Sequence, residues 1–155
     1  MKKIIIVSII VTFFSSCLFM FDRISIIKIL NKSNYTIYAY DSFFDSLSIY
    51  QTDFSGNSFR TSLDTSYYIF SNGAFSYSSN RAEPDSMAYL SFSGTRKGIF
   101  RDNLCVDGKI RFFIFKEETI RKYSWETICK YQMYEKKLTF TEDELKENDW
   151  VVVYE

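Results

Sequence analysis

The sequence predicts a mainly β fold, a single-domain β-sandwich with one or two short helices near the C-terminus. Short runs of β-branched and aromatic residues recur along the chain at strand length. Turn-forming residues separate these runs. Helix start signals occur at only two places, both in the last third of the chain. Together these features favour two packed antiparallel sheets over a helical bundle or a repeat array.

The chain in order gives seven to nine strands. Strands are predicted over residues 24–30, 35–40, 65–70, 87–92, 136–140 and 150–154, with a shorter one near 47–51. The turn cluster at residues 31–34 predicts a hairpin between the first two. Residues 76–86 are polar and include the only proline, so we expect a surface loop there.

Asp107 and Gly108 form the strongest turn signal in the sequence, because such a pair fits the corners of a type I′ turn. It predicts a hairpin between residues 100–106 and 109–115. Alternation assigns the second arm two apolar faces, so this strand is expected to be central. One face holds Ile110, Phe112 and Ile114, and the other holds Phe113 and Phe115.

Two helices are predicted near the C-terminus. Ser124 can cap a helix over residues 125–131, with an apolar stripe facing the sheet. Thr141 and Glu144 have the spacing of a capping box, which predicts a second helix over residues 142–147.

The charge balance and the lack of histidine exclude several functions. There are 19 Lys+Arg, 19 Asp+Glu and no histidine. Without residues 1–16, which include Lys2 and Lys3, the net charge is about −2, so no basic footprint for nucleic acid exists. Lacking histidine, the chain lacks the commonest general base and most metal sites. We therefore predict no catalytic residue, no metal site and no cofactor.

Residues 1–17, MKKIIIVSIIVTFFSSC, follow the charged, apolar, small order of a secretory signal. Residues 14–17, FSSC, resemble the lipobox of bacterial lipoproteins, which implies that Cys17 is lipidated after removal of residues 1–16. The alternative is an uncleaved anchor over residues 4–21, about 27 Å of helix.

Either reading places the domain outside the cytoplasm, since Lys2 and Lys3 hold the N-terminus inside. Residues 17–23 would form a short membrane-proximal lead, and residues 24–155 the β-sandwich domain. No acidic run follows Cys17, whereas such a run accompanies surface export in lipoproteins of this kind. We therefore expect a cell-envelope protein that is anchored to the membrane and faces the periplasm.

Cys105 and Cys129 could be joined in an oxidising envelope compartment. The disulfide would close a loop of about 25 residues and stabilise the fold by about 3 kcal/mol. Alternatively, both are buried small apolar residues.

Thirty aromatic residues make up 19% of the chain. Most alternate within predicted strands and are expected in the core. Four adjoin polar loops and could form a platform for a glycan ligand. These are Tyr67, Tyr68, Phe75 and Tyr77.

Carboxylates in the predicted loops are candidates for a glycosidase site. A glycosidase needs two carboxyl groups about 5 to 9.5 Å apart across a cleft. The candidates are Asp41, Asp45, Asp53, Asp64, Glu83 and Asp85. Asp102, Asn103 and Asp107 form an acidic turn that fits no EF-hand spacing, so turn formation explains it better than calcium binding.

The block from residue 112 to residue 154 resembles a pattern in small lipoproteins of Bacteroides-type bacteria. There an apolar strand is followed by an acidic turn, a Trp-containing helix, a strand, a capped acidic turn and a closing strand. The matching residues are Glu118-Thr119-Ile120, Trp125, Lys137-Leu138-Thr139, Glu144-Leu145, Asn148 and Trp150. Residues 29–40 are similar to the opening hairpin of those proteins, and residues 43–46 sit where many of them carry Tyr-Pro-Asp-Thr.

The resemblance implies an envelope lipoprotein of unknown activity and carries no catalytic residue across. We expect a non-enzymatic module that binds an envelope protein or a glycan, or has a structural role. The alternative is a small hydrolase that acts on envelope polysaccharide through Asp/Glu carboxylates.

Overall fold

A computed structural model describes residues 24–52, 58–60, 66–71, 74–93, 96–101, 105 and 107–155. Eleven strands lie within these ranges: β1 Ile24–Asn31, β2 Ile37–Ser42, β3 Tyr50–Thr52, β4 Ser58–Arg60, β5 Ser66–Ser71, β6 Ala74–Ser79, β7 Arg81–Ala82, β8 Met87–Ser93, β9 Lys109–Lys116, β10 Lys136–Thr141 and β11 Val151–Tyr154. Four short helices accompany them: α1 Arg96–Arg101, α2 Glu117–Lys122, α3 Trp125–Tyr131 and α4 Glu142–Glu147.

The strands form two main sheets and two separate hairpins. The first sheet has the order β11-β1-β8, with β1 parallel to β11 and antiparallel to β8. The second has the order β10-β9-β2-β7 and is antiparallel throughout. The pairs β3–β4 and β5–β6 stand as two-stranded hairpins. The prediction of a mainly β, single-domain, sandwich-like fold is confirmed.

The larger apolar core contains residues from both main sheets. β1 contributes Ile27 and Ile29, β2 contributes Ile37 and Ala39, and β8 contributes Ala88, Leu90 and Phe92. β9 adds Ile110, Phe112 and Ile114, and β11 adds Val152 and Tyr154. Burying so much apolar surface is the main favourable term for folding.

A smaller core lies on the other face of the second sheet. Phe113 and Phe115 of β9 pack there with Leu47 and with Ile128 and Cys129 of α3. The predicted division of the β9 residues between two faces is confirmed. The prediction of a central position is also confirmed, because β9 lies between β10 and β2.

The predicted hairpin between residues 24–30 and 35–40 is wrong, because β1 and β2 belong to different sheets. Asn31 is fully buried where the chain crosses between them. Its side-chain Nδ2 donates to the carbonyl oxygens of Tyr35, at 2.8 Å, and Ala82, at 3.2 Å. Buried polar groups require such partners, and these partners hold the crossing in place.

The predicted hairpin around Asp107 and Gly108 is also wrong. The start of its first arm lies in α1, and β9 pairs with β10 and β2 instead. The type I′ turn is not formed either, because it needs positive φ at both corners and only Gly108, not Asp107, has it. The hydrogen bond seen here closes a turn one residue earlier, from the Gly108 N–H to the Cys105 carbonyl at 2.9 Å.

The polar stretch at residues 76–86 was expected to be a loop, but it contains the end of β6 and all of β7. The short strand expected near residues 47–51 appears as β3, starting at Tyr50. Two helices, α1 and α2, were not predicted. No helix in the described ranges is long and apolar enough to cross a membrane.

Both predicted helices are confirmed with their caps. Ser124 accepts a hydrogen bond from the Thr127 N–H at the start of α3. At the start of α4 the Thr141 side chain accepts from the Glu144 N–H, and the Thr141 N–H donates to the Glu144 carboxylate at 2.7 Å. The reciprocal bonds satisfy donors that the first helical turn leaves unpaired.

A tight reversal leads from α4 into β11. Asp149 and Trp150 both have positive φ, at 50° and 60°. The Trp150 N–H donates to the Leu145 carbonyl at 2.7 Å, and the Trp150 ring is buried in the larger core. Such backbone is costly for a bulky residue, so the burial of the indole must offset local strain.

Replacing Thr141 with alanine should lower the free energy of unfolding by about 1 kcal/mol, because the α4 cap loses its hydroxyl. Urea denaturation measures the effect. Thr141→Ser keeps the hydroxyl and should retain most of the stability. Equal stability of the alanine variant and the unmutated chain would contradict a role for the cap.

Candidate functional site

A cluster of charged groups lies where β9 begins. Arg111 projects from the α3 side of β9, and its side chain is only 7% exposed. Its Nη1 donates to Asp107 Oδ1 at 2.8 Å, and its Nη2 pairs with the other oxygen of the same carboxylate. Two-point contact of this kind is the strongest form of the Arg–carboxylate pair.

Arg111 also holds the segment that follows β2. Its Nη1 donates to the Phe43 carbonyl at 3.3 Å, and its Nε lies 3.5 Å from Asp45 Oδ1. The Nε contact is an ion pair without hydrogen-bond geometry. Asp45 is held more directly by Lys137 of β10, whose Nζ lies 2.9 Å from the same oxygen. The cluster thus joins β9, β10 and the segment after β2.

These contacts keep both carboxylates ionised. The hydrogen bond from Arg111 is the largest influence on Asp107 and lowers its pKa from 3.8 to about 2. The hydrogen bond from Lys137 is the largest influence on Asp45 and also lowers its pKa. A carboxyl held in this state does not serve as a general acid near neutral pH, so both groups are suited to holding the structure.

The pKa of Asp41 is shifted in the opposite direction from those of Asp107 and Asp45. Burial raises its pKa from 3.8 to about 6, and a hydrogen bond from its own backbone only partly offsets this. The register places Asp41 opposite Phe112, and alternation along β2 places it on the same side as Ile37 and Ala39. Its carboxyl therefore lies at the end of the larger core.

Of the four described carboxylate candidates, Asp45, Glu83 and Asp85 lie in ion pairs. Asp41 is on the sandwich side of the second sheet, whereas Asp45 bonds to Arg111 and Lys137 on the α3 side. Glu83 pairs with Arg81 at 2.9 Å, and Asp85 pairs with Lys32 at 2.9 Å. Asp53 and Asp64 lie outside the described residues.

Cys105 and Cys129 are free thiols. Cys105 belongs to the larger core and Cys129 to the smaller one, on opposite faces of the second sheet. The structure therefore does not form the disulfide that the sequence left open, and both residues take the alternative role of buried small apolar groups. Burial raises the pKa of each thiol to about 11.

The aromatic platform is described only by its backbone. In the β5–β6 hairpin Tyr68 lies opposite Tyr77, Phe75 opposite Phe70, and Tyr67 opposite Ser78. The register thus brings all four predicted residues into one hairpin, with Tyr68 and Tyr77 as direct partners. The side chains of these residues are outside the description.

Cys17, Asp102 and Asn103 also lie outside the described residues. Asp107, the third member of the acidic turn, accepts from the Lys109 N–H and pairs with Arg111. Within the described part of the chain no group of three potential metal ligands occurs.

Two residues that position this region were not predicted from the sequence. Arg111 is the single charge in the run IRFFIF, and a lone arginine in an apolar strand, four residues after an aspartate, is a recognisable signal. Gln132 carries no such signal. Its role depends on a left-handed backbone at the end of α3, φ 52°, and on contacts with Leu47, 85 residues earlier.

Comparison of the chain with protein-family models, with curated proteins and with solved structures found no match. The site must therefore be interpreted from its own geometry.

The Asp107–Arg111 pair should make stability depend on acid pH. The folded-state pKa of Asp107 is below its ordinary value, so the pair stabilises the fold above pH 4 and stops doing so as the pH falls towards 2. Asp107→Asn should therefore show a smaller loss of unfolding free energy between pH 4 and pH 2 than the unmutated chain, as measured by urea denaturation.

Asp143→Asn is the matched control, since it removes a carboxyl that is 87% exposed. Identical pH profiles for the Asp107→Asn variant and the unmutated chain would show that the pair adds nothing to stability.

Proposed function

We propose that this chain is a lipid-anchored cell-envelope protein whose domain is a non-enzymatic binding or structural module facing the periplasm. The observation that carries the proposal is the order of residues 1–17, a charged start, an apolar run, small residues and Cys17. The resemblance of residues 112–154 to Bacteroides-type lipoproteins supports it. An envelope protein or a glycan is the proposed partner.

The start of β1 supports a domain held close to the membrane. β1 begins at Ile24, seven residues after Cys17. Seven residues span at most roughly 25 Å when fully extended. A lipid on Cys17 would thus keep the sandwich within about one domain diameter of the bilayer, where it could act on envelope components next to the membrane.

The charged groups support a non-enzymatic role. Asp45, Glu83, Asp85 and Asp107 each lie in an ion pair with Lys or Arg. Exposed ion pairs of this type are ordinary features of a protein surface, and a carboxylate already paired with Lys or Arg is not free to act as a catalytic acid.

Metabolic labelling with a fatty-acid analogue tests the anchor. The unmutated chain should take up the label and Cys17→Ala should lose it, because the thiol of Cys17 is the acceptor. Cys105→Ala is the matched control and should stay labelled, since it removes a different cysteine. Absence of label on the unmutated chain, or label that survives Cys17→Ala, would rule out lipidation at this residue.

A small hydrolase acting on envelope polysaccharide is the second candidate, and Asp41 is the observation that favours it. Its pKa of about 6 is in the range that suits a general acid. An inverting or retaining mechanism would still need a second carboxylate on the same side of the sheet.

Release of soluble sugar from isolated envelope polysaccharide tests the hydrolase. If Asp41 is the acid, the unmutated domain releases sugar and Asp41→Asn abolishes the release, whereas Asp45→Asn retains it because that carboxylate faces the other way. No release by the unmutated domain would remove the hydrolase and leave the binding module.

A further inference from the structure

The segment of residues 44–49, between β2 and β3, lies across the α3 side of the second sheet, whereas the preceding Phe43 packs against the larger core. We call residues 44–49 the strap. It contains neither helix nor strand. Leu47 at its centre is buried in the smaller core beside Phe113 and Cys129, and Phe44 near its start is exposed. The strap is thus a cover over one part of that core.

The centre of the strap is held by one side-chain amide. The Leu47 N–H donates to Gln132 Oε1 at 2.8 Å, and Gln132 Nε2 donates to the Leu47 carbonyl at 2.9 Å. The same nitrogen donates to the Cys129 carbonyl at 2.6 Å. The Gln132 amide thus pairs with both backbone groups of Leu47, as a neighbouring strand would, and joins the strap to the end of α3.

The first half of the strap is held in the same way, through side chains. The Phe44 N–H donates to Ser42 Oγ at 3.0 Å. Lys137 Nζ donates to Asp45, and Arg111 Nη1 donates to the Phe43 carbonyl just before the strap begins. By contrast, β9 beneath the strap is paired along its length with β10 and β2.

We infer that the strap opens as a unit while both main sheets stay paired, and that opening uncovers the thiol of Cys129. Segments with few hydrogen bonds and one buried side chain open at a lower free energy than paired central strands. Opening breaks the Gln132 bonds, the contacts of Asp45 and the packing of Leu47 and Ile49 on the smaller core. The strands β2, β9 and β10 keep all of their ladder bonds.

The two buried cysteines allow local opening to be told apart from global unfolding. Each is 5% exposed, and burial raises the pKa of both thiols to about 11. This effect of burial is lost when either thiol becomes exposed, so the exposed thiols have similar intrinsic reactivities. Cys129 lies in the core that the strap covers and Cys105 in the core on the other face, so a difference in their labelling rates reports access.

The test is labelling of the full chain in detergent with N-ethylmaleimide, read for each cysteine separately by peptide mass spectrometry. Cys129 should label faster than Cys105. Gln132→Ala should raise the Cys129 rate about ten-fold, which corresponds to the loss of one or two net hydrogen bonds, and leave Cys105 unchanged. Tyr131→Ala is the matched control, because this neighbouring side chain is 65% exposed.

Two results would overturn the inference. Equal acceleration of both cysteines would mean that the variant unfolds globally, and an unchanged Cys129 rate would mean that the strap does not control access. If Gln132→Ala does not fold, amide exchange of the unmutated chain decides. If the exchange rate of the Leu47 amide does not change with denaturant at low concentrations, local opening is supported. If it changes with denaturant as the β9 amides do, the inference is contradicted.

Discussion

The structure depends on a central strand that must be kept from water on both faces. All six residues from Ile110 to Phe115 are buried, and such a strand cannot lie at the surface of a single sheet. One face requires the β11-β1-β8 sheet, and the other requires α3 and the strap. The two apolar cores are thus consequences of one eight-residue strand.

Arg111 is the exception within that strand, and its burial explains why the polar end of the sheet is built as it is. A guanidinium that is 7% exposed is tolerated only when its charge and its donors are matched. Asp107 and Asp45 balance the charge. Asp107, with the Phe43 and Lys109 carbonyls, accepts from the two terminal nitrogens, while Nε makes only the ion pair with Asp45. Because Arg111 needs these partners, Asp107 must lie beside it in the turn before β9, and Phe43 must lie beside it in the chain after β2.

Signals confined to a few neighbouring residues could be predicted from the sequence, and pairings between distant segments could not. The Ser124 and Thr141 caps, and the alternation in β9, need only local geometry. The two hairpins failed because a turn signal does not choose a strand's partner: Asn31 is held by Ala82, 51 residues away. At the site, loop carboxylates were recognised as residue types, but their opposite faces and the Gln132–Leu47 contact arise only from the fold.

The two covers over the central strand differ in how they are held, and this difference locates the flexible part of the described fold. The sandwich side is covered by a whole hydrogen-bonded sheet, so uncovering it means separating one sheet from the other across the larger core. The α3 side is covered in part by a strap whose centre is held by one glutamine amide. Releasing one such segment costs less than separating two packed sheets. A change at the α3 face can therefore occur without disturbing the sheets, whereas a change at the sandwich face cannot.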